Sequence, residues 1–181
     1  MYPDLRSETQ VNLTGLGMVE GVLSASGGKY LYRAFRGLPF AEPPVGSLRF
    51  QPPVQKRPWA PAVLDASEYG NMCTQRWPRD RGLKHGTSST RPDTEDCLVL
   101  DIYTPRRNAS RPPPKDGFPV WFFVHGGANE GGNAGGGLYD PHRLYSAGHD
   151  DVVVVTTQYR LGLFGWLGTD FQHFVLASSG V

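Results

Sequence analysis

The sequence predicts an α/β protein built around a mostly parallel or mixed sheet. Three continuous apolar runs carry this expectation, Cys97–Tyr103, Val120–Val124 and Val152–Thr157. Such runs suit strands that are buried on both faces, with helices packed on each side of the sheet. A glycine-rich loop and a short helical pattern separate the last two runs, which gives the order strand, loop, helix, strand. The chain contains no internal repeat, so a single domain is expected.

The segment before these runs predicts short strands and a constrained loop. Val11–Ala25 alternates around three glycines, which indicates a small hairpin, and the aromatic-rich Tyr30–Phe35 continues it as a third strand. Paired prolines in Pro39–Gly46 exclude a helix and indicate an extended path.

One short helix is expected at Asp140–Tyr145. Asp140 suits the N-cap, where its carboxylate can accept an amide hydrogen, and Pro141 suits the first helical position because it has no N–H to leave unpaired. The proline-rich Ser110–Lys115 is interpreted as a surface turn. The polar segment Arg79–Asp93 is interpreted as exposed surface.

Composition and charge limit the classes of function. With 39% hydrophobic residues in a chain of 181, one domain core can be buried. The net charge is +1 and the basic residues are not clustered, which argues against nucleic-acid or anionic-membrane partners. No apolar run reaches the roughly 18 residues of a transmembrane helix, and the first residues lack the apolar region of a signal peptide.

Two cysteines and two sequons depend on the cellular compartment. Cys73 and Cys97 could close a disulfide loop, worth about 3 to 4 kcal/mol in an oxidising compartment, or remain two unrelated buried thiols. From composition alone both interpretations stay open. Asn12 and Asn108 begin Asn-x-Ser/Thr triplets, which accept glycans only in the secretory pathway.

The segment most informative about chemistry is the apolar strand that runs into His125–Ala128 (HGGA). Acyl-transfer enzymes stabilise the negative oxygen of a tetrahedral intermediate with backbone N–H groups held rigidly at the end of a strand. Glycine permits the backbone conformations of such a loop and lets a substrate carbonyl approach the main chain. The segment is therefore a candidate oxyanion-hole loop, and a glycine-rich turn without a catalytic role is the alternative.

Other ligand classes are disfavoured. The glycines from Gly126 to Gly137 match neither GxxxxGK[ST] nor GxGxxG, which argues against nucleotide or dinucleotide binding. The histidines lack the HExxH spacing, and the neighbouring acids form no recognisable ligand set. We therefore expect no cofactor and no bound metal.

Four separated segments carry a common pattern: Arg36–Phe50, Glu95–Ile102, Phe123–Ala128 and Val153–Gly165. Together these segments resemble one family, the type B carboxylesterases, which include cholinesterases and non-catalytic neuroligin-like adhesion proteins. They are similar, in the same order, to the family's entry segment, its E-D-C-L signature, its oxyanion strand and loop, and its Y-R-L-G strand. The resemblance implies the N-terminal part of an α/β-hydrolase fold, with a small β-hairpin region followed by the first strands of the central mixed sheet.

The resemblance also implies roles for individual residues. The N–H groups of Gly127 and Ala128 would be two oxyanion donors, with Gly126 shaping the turn. Cys73 and Cys97 would form the family's first disulfide. That disulfide and the sequons favour the secretory pathway, although this sequence shows no signal peptide. The oligomeric state is not predicted.

A further implication is that Arg49 and Glu95 form a buried ion pair, in which losing either partner would strand a charge. The sequence also departs from the family. It lacks the Gly-x-Ser-x-Gly nucleophile elbow and the later acid and histidine; residues 170–181 no longer follow the pattern, and Ser178 and Ser179 lack the elbow's glycines.

Residues 1–181 are therefore interpreted as a partial carboxylesterase domain that ends in a divergent tail. The parent protein would hydrolyse a small-molecule carboxylic ester with a serine nucleophile, while this chain alone is expected to be inactive. The alternatives are a non-catalytic adhesion or binding relative and a non-functional truncated product.

Overall fold

A computed structural model describes most of the chain. The described residues are 6–26, 29–75, 93–106, 112–135 and 139–167. The sequon at Asn108, the tail 170–181 and nearly all of the polar segment Arg79–Asp93 lie outside them. Of the predicted surface turn Ser110–Lys115, the described residues are exposed, and the Gly117 N–H donates to the carbonyl of Pro114 at 3.0 Å.

Short strands dominate the fold. In chain order, the helices and strands are α1 Arg6–Thr9, β1 Gln10–Leu13, β2 Gly17–Glu20, β3 Val22–Ser26, β4 Lys29–Pro39, β5 Val63–Asp65, β6 Met72–Cys73, β7 Asp93–Thr94, β8 Val99–Pro105, β9 Val120–Val124, α2 His142–Ser146, β10 Val153–Thr157 and α3 Gly162–Trp166. A single 3₁₀ turn at Gly46–Leu48 follows the proline-rich loop. The predicted apolar strands correspond to β8, β9 and β10.

The small hairpin predicted over Val11–Ala25 forms in part, from β1 and β2, whereas the rest of that segment belongs to a different sheet. Strands β1 and β2 pair antiparallel and β5 adds to β2 in parallel, whereas β3 pairs with β4 in the main sheet. The chain passes from one sheet to the other at Gly21, where a Cβ atom would lie 2.4 Å from the Ala34 carbonyl oxygen. The Gly21 N–H still donates to the Thr9 carbonyl at 2.9 Å, and only glycine fits this close to β4, so the chain can cross here from one sheet to the other.

The main sheet is mixed, as predicted. Its five strands follow the order β3-β4-β8-β10-β9; β9 and β10 are parallel, and the other neighbours are antiparallel. The parallel register aligns Val124 with Thr157. The carboxyl ends of β9 and β10 therefore lie side by side at the same end of the sheet, where the HGGA segment begins.

Strand β9 is more exposed than the sequence predicts. It lies at the edge of the main sheet, and Val120, Trp121, Phe122 and Val124 are each more than half exposed. Phe123 contacts the Tyr139 ring, with the centroids 4.5 Å apart. The prediction of burial on both faces is wrong here, because the described residues leave the side chains on the faces of β9 largely uncovered.

The core is formed by three groups of buried side chains. Tyr32, Tyr103 and Tyr145 pack between the main sheet and α2, and the Tyr32 ring centroid lies 6.0 Å and 5.1 Å from the other two. Val19 and Phe35 belong to a second group that joins the two sheets. The third group surrounds the two cysteines.

The predicted helix forms as α2, slightly later than expected. The Asp140 carboxylate accepts the His142 N–H at 2.9 Å, as expected of a residue that caps the helix, but the residue immediately before the helix is Pro141. No helix in the described ranges is long and apolar enough to cross a membrane.

Candidate active site

The candidate oxyanion segment begins where β9 ends. His125 follows the strand directly and is 2% exposed, so its ring is enclosed by the protein. The ring stacks on Tyr159, with the centroids 4.4 Å apart, and the Tyr159 hydroxyl donates to the His125 carbonyl at 2.7 Å. Tyr159 comes just after β10, so the neighbouring parallel strand fixes the start of the loop.

Gly127 requires glycine for two independent reasons. Its φ is +131°, a region that side chains disfavour, and a Cβ atom would lie 1.7 Å from the Gly131 carbonyl oxygen. The turn closes on the Gly127 carbonyl, which accepts the N–H groups of Glu130 at 3.0 Å and Gly131 at 3.2 Å. Gly126, in contrast, has open space around the position of a Cβ atom.

The next residues continue in the left-handed region, with φ of +55° at Ala128 and +60° at Asn129. Successive residues of this kind turn neighbouring N–H groups toward the same side, a geometry that binds negative charge. Among the residues that the structure describes, the N–H groups of Gly127 and Ala128 have no hydrogen-bond acceptor. These two donors are therefore not consumed by ordinary backbone pairing.

The loop then passes beneath the histidine. Gly132 has a φ of +129°, and a Cβ atom on it would lie 2.4 Å from His125 Nδ1 and 2.5 Å from the Gly126 carbonyl oxygen. The His125 Nδ1 itself lies 3.0 Å from that carbonyl oxygen. Burial lowers the pKa of His125, so the imidazole is neutral at physiological pH and acts as a packing element.

Two glutamine side chains hold the rest of the loop, and the sequence analysis missed both. The Gln75 side chain makes two hydrogen bonds to the main chain of Gly132, both at 3.0 Å. Gln158 accepts the Ala134 N–H at 3.3 Å and donates to the side chain of Asn133. Gln75 and Gly132 are 57 residues apart, and Gln158 and Asn133 are 25 residues apart. Neither contact could be inferred from the sequence, because no motif connects the partners.

A cleft of about 900 Å³ opens beside the loop. Ala128, Asn129 and Glu130 form one side, and Leu161–Leu167, which contains α3, forms the other. The Gly162 N–H donates to the Asn129 carbonyl at 2.7 Å, so the two sides are tied at the base of the cleft. Its size and largely apolar lining suit a small organic molecule.

The disulfide between Cys73 and Cys97 forms, which settles the alternative of two free thiols. Both residues are 1% exposed and pack against Ala41, Leu98 and Leu161. The link fastens β6 to the segment that leads into β8. It therefore anchors the residues immediately after Cys73 to the main sheet.

Arg49 and Glu95 pair through two hydrogen bonds of 2.6 Å each. The pair is buried only in part, because the Glu95 side chain is 18% exposed and the Arg49 side chain 44% exposed. Its guanidinium lies over the Phe164 ring, 5.9 Å from the centroid, at the protein surface. The hydrogen bonds from Arg49 lower the pKa of Glu95. Losing Glu95 would therefore leave Arg49 solvated, whereas losing Arg49 would leave a largely buried carboxylate without its partner.

Asn12 lies on β1 with an exposed side chain. This position is open to an enzyme that attaches glycans, and glycosylation there stays a prediction.

The mixed sheet with its glycine-rich turn at the end of a parallel strand agrees with an α/β-hydrolase fold, which a solved structure identifies. A solved structure with this fold, described as a thermophilic pNB esterase, matches 90% of this chain and 30% of its own with a TM-score of 0.71 and 34% identity. The profile of the Carboxylesterase family matches residues 7–175. The chain belongs to the carboxylesterase family.

Similar proteins carry several different names. Carboxylesterase 3 of Homo sapiens is 40% identical over 88% of this chain, and cocaine esterase of Oryctolagus cuniculus is 38% identical over 92% of it. The cAMP-regulated D2 protein of Dictyostelium discoideum is 32% identical over 92%. The chain spans 27%, 30% and 28% of these relatives' lengths, respectively.

Proposed function

We propose that this chain is the part of a serine-type carboxylic ester hydrolase that contributes the oxyanion-hole loop. One observation carries the proposal: the N–H groups of Gly127 and Ala128 belong to a turn of positive φ, without acceptors among the described residues, and Ala128 lines the cleft. Relatives named as esterases and hydrolases support a carboxylic ester as the substrate.

The loop's contribution is electrostatic. As a nucleophile attacks the ester carbonyl, negative charge develops on the carbonyl oxygen, and donors already in position stabilise that charge without reorganising. Removing one such donor typically slows the reaction by about 100- to 1,000-fold. The apolar α3 side of the cleft would contact the acyl or alcohol group of the ester.

The chain alone is expected to be inactive, since its sequence contains no Gly-x-Ser-x-Gly segment to supply the attacking hydroxyl. We expect no turnover of 4-nitrophenyl acetate above a buffer control. Saturable turnover that a serine-directed organophosphate abolishes would contradict this part of the proposal.

The donor role can be tested in an active protein. The segment His125–Glu130 would replace the structurally equivalent segment of the solved pNB esterase, which is similar along nearly the whole of this chain. We expect kcat within about tenfold of the parent. Gly127→Ala keeps the N–H group, but its Cβ atom would overlap the Gly131 carbonyl oxygen and displace the donors, so kcat of the graft should fall by about 100-fold or more. A Gly-Ser linker of the same length is the control, and a graft that performs no better than this linker overturns the donor role.

One observation favours a second candidate, a truncated product without function. Strand β9 exposes Val120, Trp121 and Phe122 at an open sheet edge, as a piece of a larger sheet would. Size-exclusion chromatography with light scattering tests it. A monodisperse monomer that melts cooperatively would count against this candidate.

A further inference from the structure

We propose that Gln75 is a positioning residue for the oxyanion loop, which it holds through Gly132, and that it couples the order of that loop to the Cys73–Cys97 disulfide. The assignment of the loop's role rests on the proposed function. The coupling itself rests only on contacts within this chain.

The Gln75 amide is used almost completely. Its Nε2 group donates to the Gly132 carbonyl at 3.0 Å and to the Cys73 carbonyl at 3.1 Å, and its Oε1 accepts the Gly132 N–H at 3.0 Å. A primary amide offers two donors and a carbonyl acceptor, so both N–H groups and the oxygen have partners. This bidentate contact fixes the position and the direction of the Gly132 main chain.

Gly132 in turn fixes the start of the loop. Its α-carbon packs so closely on His125 and the Gly126 carbonyl that a Cβ atom would overlap both. The preceding residue, Gly131, makes similarly close contact with Gly127 and donates its N–H to the Gly127 carbonyl. Displacing Gly132 would therefore displace the turn that orients the Gly127 N–H.

The other end of the contact is fastened by the disulfide. Gln75 lies two residues after Cys73, and the amide bonds back to the carbonyl of Cys73 itself. Cys73 is bonded to Cys97, which is followed closely by β8 of the main sheet. The sequence of contacts thus runs from the sheet through the disulfide to Gln75, and from Gln75 to the loop.

This arrangement matters because oxyanion donors act only when they are already in position. A misplacement of about 1 Å can cost on the order of 100-fold in rate. A loop made largely of glycine has little stiffness of its own, so contacts from outside the loop must supply it. Gln75 lines the cleft as well, but it makes this contact through Gly132 and not through the donor N–H groups.

The first test measures amide hydrogen exchange in the full chain by NMR. Glu130 and Gly131 are the reporters, because their N–H groups bond to the Gly127 carbonyl and not to Gln75. We expect Gln75→Ala to accelerate their exchange at least about tenfold. Gln55→Ala removes an exposed glutamine side chain and is the matched control, with rates within about twofold of the unsubstituted protein.

The second test adds reduction of the disulfide. Because reduction and Gln75→Ala interrupt the same series of contacts, their effects on the reporter amides should be strongly less than multiplicative. Effects that multiply, or Gln75→Ala rates within about twofold of the unsubstituted protein, overturn the proposal.

A third variant, Gln75→Glu, separates positioning from a general loss of stability and serves if Gln75→Ala fails to fold. A protonated carboxyl can donate one hydrogen bond to the Gly132 carbonyl and accept the Gly132 N–H, although it cannot also donate to Cys73 as the amide does. An ionised carboxyl cannot donate at all. Protection of Glu130 and Gly131, corrected for intrinsic exchange, should therefore be higher at about pH 3.5 than at about pH 7.5 by at least about tenfold. Protection that is independent of pH in this variant contradicts the proposal. Inactivity of the esterase graft with these exchange results intact would refute the donor role alone.

Discussion

At the scale of single residues, two adjacent glycines of the loop differ sharply in what they tolerate. Gly127→Ala should lower the free energy of unfolding by about 2 kcal/mol or more, because the new Cβ atom would overlap the Gly131 carbonyl at a positive φ. Gly126→Ala introduces the same atom into open space and serves as the control. Urea denaturation measures both, and equal losses would show that the turn is not as tight as described.

A second prediction at this scale concerns Asp101, a buried carboxyl on β8. It is 3% exposed and accepts the Gly37 N–H at 2.8 Å and the Thr156 hydroxyl at 3.4 Å. Burial raises its pKa to about 6, from an ordinary value of 3.8. The folded protein therefore holds this proton where the unfolded chain has released it. The contribution of Asp101 to stability is complete below the lower value and is lost as the pH rises through the higher one.

Asp101→Asn should remove this dependence while keeping an oxygen that can accept the Gly37 N–H. The free energy of unfolding of the variant, relative to the unsubstituted protein, should rise by on the order of 3 kcal/mol between about pH 4 and pH 7. Urea denaturation across this range measures the difference. Asp96→Asn, on an exposed residue, is the control. Parallel curves for Asp101→Asn and the unsubstituted protein would contradict the raised pKa.

At the scale of elements, the three apolar strands were predictable because their runs of valine, leucine and aromatic residues have no polar face. The structure places β9 within the predicted bounds and the other two within two residues of them. The exposure of β9 was not predictable, since an apolar run does not say what packs on its two faces. The division of the N-terminal strands between two sheets was also hidden, because it depends on the contact between Gly21 and β4.

The open edge of β9 leads to a prediction about association. The Val153 N–H donates to the Pro119 carbonyl, so in the alternating parallel pattern the backbone groups of Val120, Phe122 and Val124 point away from β10. An uncharged, apolar edge of this kind pairs readily with other strands. We expect the chain to self-associate as its concentration rises, and Val120→Lys to reduce the association.

Sedimentation velocity over a range of concentrations measures this effect. Val54→Lys makes the same change of charge at a loop residue that is 45% exposed, compared with 61% for Val120, and should leave association nearly unchanged. If both variants reduce association equally, net charge and not the strand edge is responsible.

At the scale of the whole molecule, local motifs identified the family and the candidate loop, while the contacts that make the loop rigid came only from the structure. His125–Ala128 was recognisable because its glycines follow an apolar strand. Gln75 carries no comparable signal, since a polar residue after a cysteine is common and its partner Gly132 is distant in sequence. The Arg49–Glu95 pair shows the same limit, because the resemblance gave the partners but not their exposure.

The disulfide is the one covalent link between distant parts of this molecule, and its removal should affect stability as a whole. Cys73 and Cys97 are 24 residues apart, for which chain entropy predicts a stabilisation of about 3.5 kcal/mol. The double variant Cys73→Ala/Cys97→Ala should therefore unfold at a lower urea concentration than the oxidised protein, with a free energy reduced by about this amount. The reduced unsubstituted protein is the control, because it lacks the link but keeps both sulfur atoms in the core. A loss of less than about 1 kcal/mol in both proteins would mean that the unfolded chain is already constrained between these residues. The disulfide would then contribute little to global stability, and its effect would be limited to the order of the Gln75 contact.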